Sequence, residues 1–145
     1  MKRILLYLSL ALLSGCGKQP HASPTPEAEP TMVTITQYHD SDPSFHVQLP
    51  SPQARKLYRD IMHLPPAPPG PISCPADNGV YYELKFTSSS NQTLMDASLQ
   101  AAGCRMLICG NRAYWTLDPQ GDVFWSDLQT YLHMSSDELD GYSRR

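Results

Sequence analysis

A chain of 145 residues, 41% hydrophobic and 17% charged, is long enough to bury one core with appendages but not two. The formal charge is −3, and nine basic against 14 acidic residues remain once Lys2 and Arg3 are removed, a net −5 that excludes the basic footprint of a nucleic-acid-binding domain. The 14 prolines fall mostly in the first half, where they point to linkers and extended connections.

Lys2 and Arg3 precede an apolar run from Ile4 to Leu13, about half the roughly 20 residues that a membrane-spanning helix needs. This is the pattern of an export signal over residues 1–15. Leu13-Ser14-Gly15-Cys16 resembles the lipobox of bacterial lipoproteins: a branched residue, two small residues that enter a narrow protease site, and a cysteine whose thiol accepts diacylglycerol. The alternative is an ordinary signal peptide with a chance cysteine at its end. The resemblance implies that Cys16 is lipidated with palmitate-type chains and becomes the first residue. Each buried methylene contributes about 0.8 kcal/mol, so two or three chains make the anchor effectively permanent. The implied address is extracytoplasmic, on the cell membrane or envelope. Gly17 to Pro30 has four prolines and no apolar periodicity; as a polyproline-like tether it reaches roughly 40 Å. His21 reads as a solvated tether residue.

Thr31 to Tyr38 places Val33 and Ile35 on one face and Thr34 and Thr36 on the other, a first strand. His39-Asp40-Ser41-Asp42-Pro43 is turn chemistry without a second histidine at ligand spacing. Phe45, Val47 and Leu49 alternate with polar residues as far as Pro50. Ser51-Pro52 opens a helix that Ser51 is expected to cap, with the apolar stripe Ala54, Leu57, Ile61 and Leu64 facing inward. Arg55, Lys56, Arg59 and Asp60 face mainly outward, and Pro65-Pro66 ends the helix. Pro65 to Pro71 forms an extended strap leading to Cys74.

Val80, Tyr82, Leu84 and Phe86 alternate strictly with Tyr81, Glu83, Lys85 and Thr87, the cleanest strand signal in the chain. Ser88 to Gln92 makes a polar tip; Asn91-Gln92-Thr93 is formally a glycosylation sequon. Thr93 to Ala102 fits both an alternating strand and a helix stopped by Gly103, and the strand is chosen because the hairpin needs a partner. Arg105 to Cys109 and Asn111 to Leu117 read as further strands, the latter with Ala113, Trp115 and Leu117 on one face. Asp118-Pro119-Gln120-Gly121 reads as a turn, and Asp122 as the cap of a closing helix from Val123 to Met134. Its stripe is Phe124, Leu128, Tyr131 and Leu132.

With Cys16 lipidated, three cysteines remain and one disulfide is allowed. If Gly103 to Cys109 is extended, Cys104 and Cys109 stand about 16 Å apart on opposite faces, beyond the roughly 7 Å a bridge tolerates. Cys104, placed on the core side with Met106 and Ile108, is therefore the partner of Cys74. That bond closes a loop of about 30 residues for roughly 3 to 4 kcal/mol in the chain-entropy model, and leaves Cys109 free.

These elements predict an α+β fold: a small antiparallel β-sheet packed against two helices and stapled by one disulfide. The domain plan is a signal peptide (1–15), a lipidated cysteine and tether (16–30), a single domain (31–134) and a fraying tail (135–145). No Gly-x-Ser-x-Gly, His-Glu-x-x-His, Cys-x-x-Cys, phosphate loop or EF-hand spacing occurs. A hidden enzyme needs His39, His46, His63 or His133 to converge with acids in space. The pattern therefore calls for no catalytic residue, cofactor or metal. Cys74-Pro75-Ala76-Asp77-x-Gly79-Val80, followed by Gly103-Cys104-Arg105 and a tryptophan-bearing helix, resembles a set of exported bacterial proteins over Ser51 to about Leu132, a resemblance that implies no activity. The helix leading to Cys-Pro, then a hairpin, then a cysteine about 30 residues on, is also similar to the subtilisin-inhibitor family. That likeness implies that Ala76 and Asp77 flank a bond presented to a serine protease; the family's second disulfide, before the helix, has no counterpart here. The expected role is an anchored, non-catalytic binding or structural module with an envelope protein as partner, and protease inhibition is the alternative.

Overall fold

Alternation along one strand organises the layer. In the computed structural model, which describes residues 29–142, that strand is β3 (Val80–Thr87), and Tyr82, Leu84 and Phe86 on its inner face are fully buried. It pairs on one side with β1 (Met32–His39), itself hairpinned to β2 (Asp42–Pro50), and on the other with β4 (Thr93–Gln100). Two short strands, β5 (Met106–Cys109) and β6 (Arg112–Trp115), complete a fully antiparallel sheet of order β2-β1-β3-β4-β5-β6. Helix α1 (Ser51–His63) carries the chain from the β2 edge over the sheet to β3. It packs beside α2 (Pro119–Leu132), which the single turn α3 (Ser136–Leu139) follows. The α+β expectation holds, and so does the choice of strand for Thr93 to Gln100.

The core lies between the sheet and the helices. Ala54, Leu57 and Ile61 of α1 and Phe124, Leu128 and Leu132 of α2 meet Val33, Ile35, Leu99 and Leu107 from the sheet. Apart from Ala54, each of these side chains contributes about 1.5–3 kcal/mol when fully buried. Tyr82 buries its ring completely, and its hydroxyl donates to the Leu139 carbonyl (2.8 Å) while accepting from Gln37 Nε2 (2.6 Å), so its polar tip is satisfied inside the core.

Several expectations are corrected. Ser51 is not the cap of α1: Pro50 occupies that place in extended conformation, and Ser51 already takes helical angles without a capping bond. Residues Asp118 to Gly121 are not a turn, because Asp118 Oδ1 accepts the Gly121 N–H (2.8 Å) and Pro119 fits the first helical position, so α2 starts four residues early. Asp122 is therefore a first-turn acid and not the cap. A Cβ at Gly121 would stand 2.2 Å from the Thr116 carbonyl oxygen, which is how closely α2 abuts the end of β6. In β5 it is Leu107 that is buried while Ile108 is 40% exposed. Arg105 has φ of 48°, so the alternation does not run through from Cys104 and the face assigned to Met106 and Ile108 is reversed. Leu117, expected beside Trp115, is exposed.

Within the tail expected to fray, Ser136–Leu139 instead forms α3, where Ser135 and Glu138 cap each other's backbone amides and Leu139 is buried. The tether also ends earlier than expected: Pro30 is buried, and Glu29 pairs with Arg55 at 2.8 Å. Lys56 and Asp60, both placed outward, turn toward α2 instead: Lys56 bonds Asp60 (2.7 Å) and Asp127 of α2 (2.6 Å), and the Asp60 side chain is only 12% exposed. The proline strap does more than connect: Trp115 N–H donates to the Pro65 carbonyl and Ala67 N–H to the Ala113 carbonyl, both 2.8 Å, covering part of the β6 edge. The proposed signal peptide, Cys16 and the tether as far as Ala28 lie outside the described residues. Among those described, no helix is long and apolar enough to cross a membrane.

Candidate functional site: a braced loop and its clefts

The loop from Cys74 to Gly79 exposes Pro75, Ala76 and Asp77 together. Its base is the Cys74–Cys104 disulfide, with Cα atoms 4.9 Å apart, which joins an exposed cysteine to a buried one. The pairing is the expected one, and Cys109 is a free, half-buried thiol.

Past the apex the chain is held by its own side chains. Asp77 Oδ1 accepts the Gly79 N–H and Asn78 Oδ1 accepts the Val80 N–H, each at 3.1 Å, so two consecutive Asx-type turns fix the exit. Asn78 Nδ2 donates to the Asp140 carbonyl, and the Asp140 side chain bonds Arg105, next to Cys104. Arg105 in turn lies 5.0 Å over the Trp125 ring, while Thr116 Oγ1 donates to the Arg105 carbonyl and accepts from Trp125 Nε1. Burial pushes the Asp140 carboxyl above its usual pKa, a push that Arg105 opposes and Asp137 assists. Gly79, at φ of 74°, lets the loop meet the β1–β2 turn: its carbonyl accepts the Asp40 N–H (2.8 Å), and a Cβ there would stand 2.5 Å from Asp40 Oδ1.

Among the described residues, two clefts are lined by Asp40. One, of about 500 Å³, opens between the β1–β2 turn and the C-terminal segment and is lined by His39, Asp42, Phe45, Met134 and Glu138 among others. The other, of about 340 Å³, lies against Asp77 and Gly79 on the sheet face that no helix covers, with Tyr81, Ser98, Gln100 and Ile108 forming its floor. Tyr81 stacks on Tyr38, ring centroids 4.9 Å apart. Partial burial, and then the Glu83 carboxylate bonded to it, raise the pKa of the Tyr38 phenol.

The four histidines weighed as a hidden catalytic set do not converge. His39 lines the larger cleft 4.0 Å from the Asp40 carboxylate, His46 bonds Thr36, His63 bonds the Arg59 carbonyl, and His133 ends α2 in left-handed conformation. Among the described residues no group of three or more His, Cys, Asp or Glu is placed to hold a metal. Ala76 and Asp77, singled out from the sequence, are both exposed, whereas Arg105 and the Met134 to Gly141 segment carried no site assignment there. The Ser135-x-x-Glu138 spacing was a legible capping-box signal for that segment. No family model, curated protein or solved structure matches the chain.

Proposed function

We propose that the chain is a lipid-anchored extracytoplasmic module, without a catalytic role, that recognises an envelope protein through the Cys74–Gly79 loop. The observation that carries this is a loop whose three central residues are exposed while its flanks are held by the disulfide, two Asx-type turns and the Asn78–Asp140–Arg105 chain. A recognition loop ordered before binding loses less conformational entropy on docking. Leu13-Ser14-Gly15-Cys16 supports the anchor. Intact-mass analysis of the membrane fraction should find a species starting at an acylated Cys16; a soluble product retaining Met1 refutes the anchoring. A photo-crosslinking residue at Ala76, in living cells, should capture a protein that the same residue at the distant Asp96 does not.

The same bracing favours a second reading, inhibition of a serine protease by the Ala76–Asp77 segment, since a presented bond resists cleavage only when its loop is held from both sides. Inhibition of a subtilisin-type protease that Ala76→Gly abolishes establishes it; no inhibition across several serine proteases removes it.

A further inference from the structure

Resting on the reading of the Cys74–Gly79 loop as a recognition element, we infer that the cleft beside it receives a basic side chain, lysine or arginine, from the protein partner. The chemistry of the walls decides between ligand classes. Asp40 and Asp77 both line this cleft, from two different turns, and among the described residues neither this cleft nor the larger one sharing Asp40 has a lysine or arginine in its lining. Both carboxylates retain acceptor capacity: Asp77 uses Oδ1 for the Gly79 amide, and Asp40 is 83% exposed.

An anion entering here meets two like charges. A neutral apolar group strips water from two carboxylates and returns no bond, a cost of several kcal/mol in the general case. A cation on an aliphatic stem satisfies both requirements. Its head reaches Asp40 and Asp77, and its stem lies on the Tyr81 ring and on Ile108, one of the few large apolar side chains left exposed. Gln100 and Ser98 supply further acceptors for the remaining N–H groups of a guanidinium.

Delivery by a docked protein matters as much as the match. A basic side chain on a free peptide makes only screened surface pairs in the open cleft, about 0.2–1 kcal/mol each, so it binds weakly and saturates only at high peptide concentration. A side chain carried by a partner that covers Pro75 to Asp77 is partly shielded from water as it enters, and its pairs strengthen accordingly. Asp42 and Glu138 in the adjoining cleft extend the same negative potential, so the partner's basic residue sits within a wider basic surface.

The test uses the full lipidated protein in detergent micelles, titrated with a capped Ala-Arg-Ala peptide and with its Ala-Gln-Ala counterpart, and read by backbone amide shifts. Saturable shifts at Tyr81, Gln100 and Ile108 are expected with the arginine peptide alone. The double variant Asp40→Asn with Asp77→Asn keeps the Asx-turn acceptor and suits the left-handed position 40, and should weaken binding about fivefold to tenfold. Asp96→Asn, a carboxylate on the same sheet face outside the cleft, should leave it unchanged. Absence of saturable shifts, equal response to the glutamine peptide, or indifference to the double variant overturns the inference. The Ala76 crosslink reports separately: a partner captured there with the cleft silent removes this inference and leaves the loop reading standing, whereas a responsive cleft without capture removes the loop reading.

Discussion

Replacing Arg105 by methionine should destabilise the domain by an amount that depends on pH. The guanidinium is 30% exposed and its partner Asp140 only 12% exposed, so the pair lies between the surface case, at about 0–1 kcal/mol, and the fully buried case, where removing one partner costs about 3–5 kcal/mol. A value of about 2 kcal/mol follows for the pair, and losing the contact with Trp125 adds about 0.5–1 kcal/mol. At pH 7 the urea midpoint should fall by roughly 1 M at a typical slope for a domain of this size. The sign of the pH dependence comes from Asp140, whose pKa is already raised by burial and loses its one lowering influence when Arg105 goes. A carboxyl with a raised folded-state pKa contributes stability that is complete below its unfolded value and lost as pH rises through the folded one. The variant should therefore recover part of its deficit on acidification, as Asp140 takes up a proton, and the two denaturation profiles should approach each other below the ordinary carboxylate range. Tryptophan fluorescence reads this directly, since Trp125 is the side chain Arg105 covers. A deficit identical at pH 7 and pH 4 would mean that the loss is packing alone and would refute the electrostatic account.

Gly121→Ala should cost about 2–4 kcal/mol in urea unfolding, because the added methyl meets backbone at Thr116 and has no flexible side chain to displace; a wild-type midpoint refutes the packing of α2 on β6. Asp60→Asn should raise stability at neutral pH relative to acid. Burial and the neighbouring Asp127 raise the Asp60 pKa, so the native Asp60 contribution is complete below the unfolded carboxylate value and lost as pH rises through the folded one, and Asn removes that loss while Lys56 keeps Asp127. A neutral-pH loss above about 1 kcal/mol would instead show that the Lys56–Asp60 bond outweighs burial. Cys74→Ala with Cys104→Ala should cost roughly 3–4 kcal/mol in the chain-entropy model and abolish Ala76 crosslinking; undiminished crosslinking would show that the loop needs no staple.

Elements whose pattern repeats within themselves were the legible ones. Val80 to Thr87 alternates without exception, and the α1 stripe Ala54, Leu57, Ile61, Leu64 is buried throughout. The cysteine pair was reachable because reach alone eliminates one partner, even though the face assigned to Met106 and Ile108 was wrong: one left-handed residue at Arg105 resets the alternation, and a single-residue slip turns every side chain over. Asp118-Pro119 misled because the same two residues open both turns and helices, and here the Asp118 Oδ1 bond from the Gly121 N–H opens the helix. The Ser135 to Asp140 turn is too short to show a period; the burial of Leu139 and the Arg105 pair hold it, and neither partner is local. For the same reason the exposed loop could be named in advance, whereas its clefts could not, since Asp40 and Gly79 meet only through the β1–β3 pairing.

The register of that pairing gives the domain a direction. The chain enters at Glu29 to Thr31, where the Thr31 amide donates to Thr87 beside the β3–β4 hairpin tip, and β1 then runs eight residues to His39 at the end that carries the loop. Entry and loop thus occupy opposite poles of the sheet, roughly 24 Å apart along the strand. Under the anchoring proposed above, the lipid holds one pole toward the bilayer, and Pro75, Ala76 and Asp77 ride on the other, beyond the tether's own length. A partner lying low in the same leaflet falls beneath that radius, and one whose basic surface stands clear of the membrane meets the tip head-on.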